Sequence, residues 1–181
     1  MAVVNDKLFI TVADFEKYRD VSEQLDDDRA DASILEAQIT DLVQLIGPAL
    51  YSLLQTDFTA PATWAIPKYE NLFNGVKYKP QGEKYEVIYH GLQPMLALFA
   101  YSRYLDNAQL NISRIGPITY VEDEVSEAPT QSQIKTKVIG ARAMAVRYQE
   151  EALTFLETNA KDYPEWTNPY IKNKAFNLHK I

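Results

Sequence analysis

The stretch "IKTKVIGARAMAVRYQEEALTF", residues 134–155, decides the fold. Ile134, Val138, Ala141, Ala145, Tyr148, Ala152 and Phe155 recur at alternating spacings of four and three. That is a heptad stripe along one face of a long helix. Three of its members are alanines, small enough to let another helix approach closely. The stripe is therefore expected to pack a helix, either within the subunit or against a neighbouring one.

Working outward, "GLQPMLALFAYSRYLDN" (residues 91–107) is apolar on nearly every face until Arg103. A helix hydrophobic all round is buried all round, so this segment is expected at the centre of a bundle. Residues 108–130 between the two helices form a long loop, with a strand expected through Ile118 to Val121. Ile112, Ile115, Ile118 and Val121 give it apolar residues enough for ordered contact. Upstream, Leu35, Ile39, Leu42, Ile46, Ala49 and Leu53 repeat at four and three, which predicts a helix from Ser33 with that face buried. Gly47-Pro48 interrupts it, because proline lacks a backbone donor and clashes with the preceding turn; a kink or two abutting helices follow. Before it, "EQLDDDRADAS" reads as an acidic break, and "TVADFEKYRD" as a brief helix capped by Thr11 or Asp14, with Phe15 and Tyr18 on one face.

Residues 57–89 change character. Pro61 and Pro67 forbid a continuous helix, Asn74-Gly75 and Gln81-Gly82 are turn signals, and aromatic and β-branched residues cluster. This insert is expected to be extended, with a small hairpin. The expected fold class is mainly α: a helical bundle of about four helices with a small β-hairpin or extended insert, a long inter-helix loop and an extended C-terminal arm. Residues 1–166 form the domain and residues 167–181 the arm.

Composition narrows function. The 181 residues contain no cysteine, which excludes disulfides, thiolate metal sites and cysteine nucleophiles. No stretch reaches the roughly 18 to 20 apolar residues of a membrane span and the first residues do not resemble a secretory leader, so a soluble, unprocessed chain without membrane partners is expected. The net charge of -7 is unevenly spread: ten Lys/Arg against twenty Asp/Glu through Thr130, then eight against five. An acidic body opposes a groove that grips nucleic-acid phosphates.

Catalytic signatures are missing. His90 and His179, the only histidines, lack a partner at i+3 or i+4, and no GxSxG, HExxH or phosphate-cradling glycine loop occurs. His90 reads as a hydrogen-bonding group before a buried helix, with a general base as its alternative. The acids at 26–28 and 121–124 read as solvated turns, and the first lacks the glycine and distal glutamate of a calcium loop. The many tyrosines, among them Tyr69, Tyr78, Tyr85, Tyr89 and Tyr101, suit core or protein interface better than nucleic-acid stacking, which wants interleaved basic residues. No enzyme activity, cofactor or metal is expected. A hydrolase using scattered carboxylates is the weaker enzymatic alternative.

Beyond this domain the sequence reads "YPEWTNPYIKNKAFNLHKI". Trp166, Pro169, Tyr170, Ile171, Phe176, Leu178 and Ile181 are too apolar for a solvated tail, and after Glu165 its charges are Lys172, Lys174 and Lys180 alone. This tail is expected to dock on a partner.

The order of these segments, with "ILEAQITDLVQLIGPALYSLL", "YHGLQPMLALFAYSRYLDN", "ISRIGPITYVEDEVSEAP" and "FLETNAKDYPEW", resembles the head-tail connector proteins of tailed bacteriophages. It is most similar to those of crAss-like and other Bacteroides-type phages. The resemblance covers roughly residues 8–166, which implies that "YPEW" closes the domain and the docking arm starts near Thr167, and the insert at 57–89 is longer and more aromatic than in the smallest connectors. It implies a structural virion protein made in the host bacterial cytoplasm. Such a protein forms a homo-oligomeric ring, commonly twelvefold, beneath the portal at the head-tail junction. Its further partners would be the next neck or tail ring protein and genomic DNA, which passes through the lumen without specific binding. The tail, with Trp166, Pro169, Tyr170, Ile171, Phe176, Leu178 and Ile181, would dock on the portal. A non-viral helical scaffold or adaptor, binding partners through the same tail, is the alternative.

Overall fold

A computed structural model describes residues 7–19, 25–59, 63–80, 82–107, 111–113, 116–118 and 131–170. Among these, the helices are α1 (Ala13–Glu16), α2 (Asp27–Ala37), α3 (Val43–Asp57), α4 (Pro67–Asn74), α5 (Gln93–Asn107) and α6 (Gln131–Thr158). Three antiparallel strand pairs accompany them: β1 (Phe58–Thr59) with β2 (Thr63–Trp64), β3 (Val76–Tyr78) with β4 (Val87–Tyr89), and β5 (Asn111–Ser113) with β6 (Gly116–Ile118). The protein is mainly α with small β inserts, as its patterning predicts.

The centre is α5. Residues 94–102 are buried without exception, and α2 and α6 make their main helix contacts with it. The expected all-round burial of this helix is what the structure has. Arg103, where the apolar run ends, reaches toward the α2 side, with Nη1 2.6 Å from Asp41 Oδ2 and Nε 3.4 Å from Glu36 Oε1. Ser102 and Asp106 face the other way and receive Arg142 of α6, the Asp106 contact being 3.0 Å. α5 thus stands between α2 and α6.

Several local expectations are corrected. The acidic stretch at 26–31 is no break: the Asp26 side chain accepts from the Arg29 backbone N–H at 3.2 Å and caps α2, whose first turn holds Asp27 and Asp28. Acids at that end complement the helix dipole, so the helix begins six residues before Ser33. The stripe predicted along this segment also slips. Leu42 and Ile46 are buried, but Leu35 is 37% exposed, Ile39 is 49% exposed, Ala49 is exposed and Leu53 is only half-buried. Between α2 and α3, residues Gln38–Leu42 form a π-helical turn. Its extra residue rotates the buried face, so stepping back from Leu42 lands one position off the true line of Ala30, Ile34 and Ala37. Downstream the break at Gly47, with φ 79° and ψ 158°, does the same, and the buried residues are Leu50, Tyr51 and Leu54. Two helical segments abut there, as Gly47-Pro48 predicts, with Pro48 starting the second.

The insert is richer than expected. It holds two strand pairs and, between them, α4, which starts on Pro67 and stops at Gly75. Gly75 has φ 92° and Gly91 φ 86°, and the two backbones cross so closely that a Cβ on either would collide. At Gly75 it would meet the Tyr89 carbonyl oxygen, and at Gly91 that of Phe73. Only glycine meets both demands, positive φ and backbone approach.

Aromatic residues of the insert enter the core. Phe9 sits 5.2 Å from Phe58 and 5.5 Å from Phe73, centroid to centroid, and Trp64 lies 5.1 Å from both Phe58 and Phe73. The segment from Lys7 to Phe9 is held by two glutamines. Fully buried Gln38, on the π turn, accepts from Phe9 N–H at 2.7 Å and donates to the Lys7 carbonyl at 3.1 Å. Gln55 exchanges bonds with the Lys7 N–H and carbonyl, both 2.9 Å. Buried amides are stable in such a place only when fully bonded.

Candidate interaction surfaces

The α6 stripe is an internal packing face. Val138, Ala141, Ala145, Ala152 and Phe155 are buried, Ile134 and Tyr148 are half-buried, and the helix they line lies against α5. Of the two roles open to the stripe, the structure has helix packing within the subunit. At its C-terminal end Phe155 stacks on Tyr89 with centroids 4.1 Å apart and planes 10° apart, and Tyr78 meets it edge-on at 5.0 Å. This links α6 to the β3–β4 pair.

His90 belongs to the same junction. Its N–H donates to Glu151 Oε1 at 2.6 Å, and its Nδ1 lies 2.9 Å and 3.1 Å from the two carboxylate oxygens. The imidazole is edge-on to Tyr148 at 5.7 Å. The pair ties the β4–α5 turn to α6. Among the described residues, no group of three or more His, Cys, Asp or Glu side chains converges as a metal site, and no helix is long and apolar enough to cross a membrane.

After α6 the chain turns back over the domain. Tyr163 is buried, and its hydroxyl donates to the Lys68 carbonyl at 2.7 Å. Trp166 is 9% exposed, and its Nε1–H donates to the Leu45 carbonyl at 3.1 Å. The carbonyl is free to accept because Gly47, where the following helical turn is broken, ends the ordinary backbone ladder there. Trp166 therefore belongs to the domain that "YPEW" closes. It is not available to a partner, which corrects its place among the docking residues. Glu165, Thr167 and Pro169 then face Val43, Gln44 and Ala49 across an open groove over the Gly47 break.

Pro169 is half-buried and Tyr170 is 45% exposed. The Asn168 amide bonds to Glu157, and the Tyr170 hydroxyl accepts from Gln149 Nε2 at 2.9 Å, so these residues run back along the flank of α6. Ile171, Phe176, Leu178 and Ile181 lie outside the described residues, as does most of the 108–130 loop, including the expected Ile118–Val121 strand beyond Ile118.

Other apolar side chains stand on the surface. On α6, Ile139 is 58% exposed, Val146 is 43% exposed and Ala143 lies between them, on the side away from α5. On α2 and the π turn, Leu35, Ile39 and Ala32 do the same. On α6 the outer line has its own spacing of four and three beside the core stripe, and only the partner helix tells inner from outer; on α2 Leu35 and Ile39 belong to the stripe that the sequence predicts as buried.

No curated protein and no solved structure matches this chain. One family does, across residues 42–175, which takes in α3 through α6 and the Tyr163–Trp166 closure. That is well over half of the sequence, and the chain belongs to DUF6712, a family of unknown function.

Proposed function

We propose that this protein is a structural component of a phage virion, a head-tail connector that forms a ring beneath the portal, and that it is not an enzyme. The observation that carries the reading is the way the domain is closed. Trp166 seals the core over the Gly47 break, and Tyr170 already stands on the outside of α6. The apolar sequence of Ile171, Phe176, Leu178 and Ile181 thus starts from the surface of a domain whose core is already sealed at that point. Apolar residues presented this way suit capture by a partner, at a sheet edge or in a groove. The segment order that resembles the phage connectors names that partner as a portal. The acidic body is compatible with a channel through which DNA must slide without being held.

The experiment is co-expression with the portal protein of the same genome. The full chain is expected to co-purify with the portal and to appear as a ring beneath it by electron microscopy. A chain lacking residues 167–181 is expected to fold but no longer to bind. Equal portal binding by the truncated chain would remove the docking role, and a full chain that neither binds nor forms a ring would end the connector reading.

A further inference from the structure

Two exposed helical faces of this molecule have matching apolar lines and opposite charge. On α6 the outer line Ile139, Ala143, Val146 is flanked by Lys135 and Arg147, and from Gln131 to Gln149 the helix carries Lys135, Lys137, Arg142 and Arg147 with no acid. Arg142 is paired with Asp106; Lys135, Lys137 and Arg147 form no ion pair among the described residues. On α2 and the π turn the outer line Ala32, Leu35, Ile39 follows exposed Asp27, Asp28 and Asp31. Both helices turn their other face to α5, which stands between them, so the two outer lines look away from the subunit on different sides. They cannot cover each other within one molecule.

From this arrangement we propose that the basic, apolar outer face of α6 docks on the acidic, apolar outer face of α2 and its π turn in a second copy of the chain. The contact is heterologous, each subunit offering two different patches, and repeating it generates a ring or an open filament according to the angle. Large aliphatics exposed at helical spacing favour burial, and charges of opposite sign at their edges set the pairing and speed encounter. The chain's own residues 171–181 are the competing occupant of the α6 face, since Tyr170 lies against Gln149. Their charges, Lys172, Lys174 and Lys180, repel that face and match α2 instead. The contact rests on the connector reading only for its closure into a ring.

The test is sedimentation velocity or mass photometry of four purified full-length proteins across salt concentration. Wild type is expected to self-associate, less so as salt rises. Lys135→Glu with Arg147→Glu, and separately Asp28→Lys with Asp31→Lys, are expected to weaken self-association at least about tenfold, as like charges meet. All four positions are exposed; a melting temperature close to wild type is expected for the α6 pair and one a few degrees lower for Asp28→Lys with Asp31→Lys, since Asp28 lies in the first turn of α2, and cooperative melts verify the fold. Mixing the two variants restores association, because each then meets an opposite charge, and a chain carrying all four changes assembles with itself again. Charge-reversed variants that associate like wild type, or a mixture no better than its parts, would overturn the contact. So would loss of association on removing residues 171–181 alone, which would make the tail the occupant. If portal-bound rings persist in both variants, the contact is wrong and the connector reading stands; a wild-type chain that stays monomeric alone and with the portal fails both.

Discussion

Tyr89 is fully buried, its ring stacked on Phe155 and its hydroxyl donating to the Leu72 carbonyl at 2.9 Å. Burial, with smaller pushes from Tyr163, Glu151 and Tyr78, raises its proton affinity well above the usual phenol value of 10.0. Burial also raises Tyr163, helped by Asp162 and Tyr69. A raised folded-state pKa means that the unfolded chain releases the proton first as pH climbs. The stability these two groups contribute is therefore intact below about pH 10 and is lost above it, on the way to their folded pKa values. A Tyr89→Phe, Tyr163→Phe variant should be less stable than wild type at pH 8, by about 1 kcal/mol for each hydrogen bond removed. It should nevertheless lose less stability between about pH 9 and pH 11 than wild type does. Urea melts at the three pH values measure both, and parallel losses for the two proteins would show that neither hydroxyl carries the linkage.

At the scale of elements, two alanines on one helix separate packing from exposure. Ala145 is fully buried against α5, while Ala143, two residues earlier, is exposed on the outer face. Ala145→Glu places a carboxylate with no partner inside a close-packed helix pair and is expected to cost more than about 4 kcal/mol, leaving little or no folded protein. Ala143→Glu is expected to change stability by less than about 0.5 kcal/mol. Circular dichroism melts of the two variants decide this, and similar melting temperatures would show that α6 is not held by its stripe. The same helices show what was legible in the sequence. α6 and α5 were, because the α6 stripe runs over three heptads, longer than the outer line beside it, and α5 has a nine-residue apolar run that is buried throughout. The register of α2 and α3 was not, because the π turn at Gln38–Leu42 and the break at Gly47 each reset the phase without a hydrophobic signal of their own. α4 was hidden by its own start signal: Pro67 reads as a breaker until Gly75, eight residues on, is recognised as the matching stop. The division of charge was readable from composition. The exposed lines on α2 and α6 were not, since Leu35 and Ile39 become outer residues only once the π turn has rotated the face.

For the whole molecule, the decisive ties join parts of the chain far apart in sequence. Gln38 and Gln55 hold the segment at Lys7 and Phe9, Arg103 and Arg142 brace α5 on two sides, and Trp166 reaches Leu45 across 121 residues. A domain stabilised by about 5–15 kcal/mol depends on a few such closures. Trp166 stands where α6 has ended and α3 is interrupted. Its loss removes a large buried ring and leaves the Leu45 carbonyl beside the break without its donor. Trp166→Ala is expected to cost about 3–5 kcal/mol. For a chain of this size that lowers the melting temperature by about 6–20 °C. Removing residues 171–181, which start from the surface at Tyr170, is expected to change it by less than about 2 °C. Differential scanning calorimetry of the two proteins beside the full chain sets the boundary between domain and arm. Equal, small shifts would mean that Trp166 is no part of the closure. A large shift on removing 171–181 would mean that the tail belongs to the fold instead of to a partner.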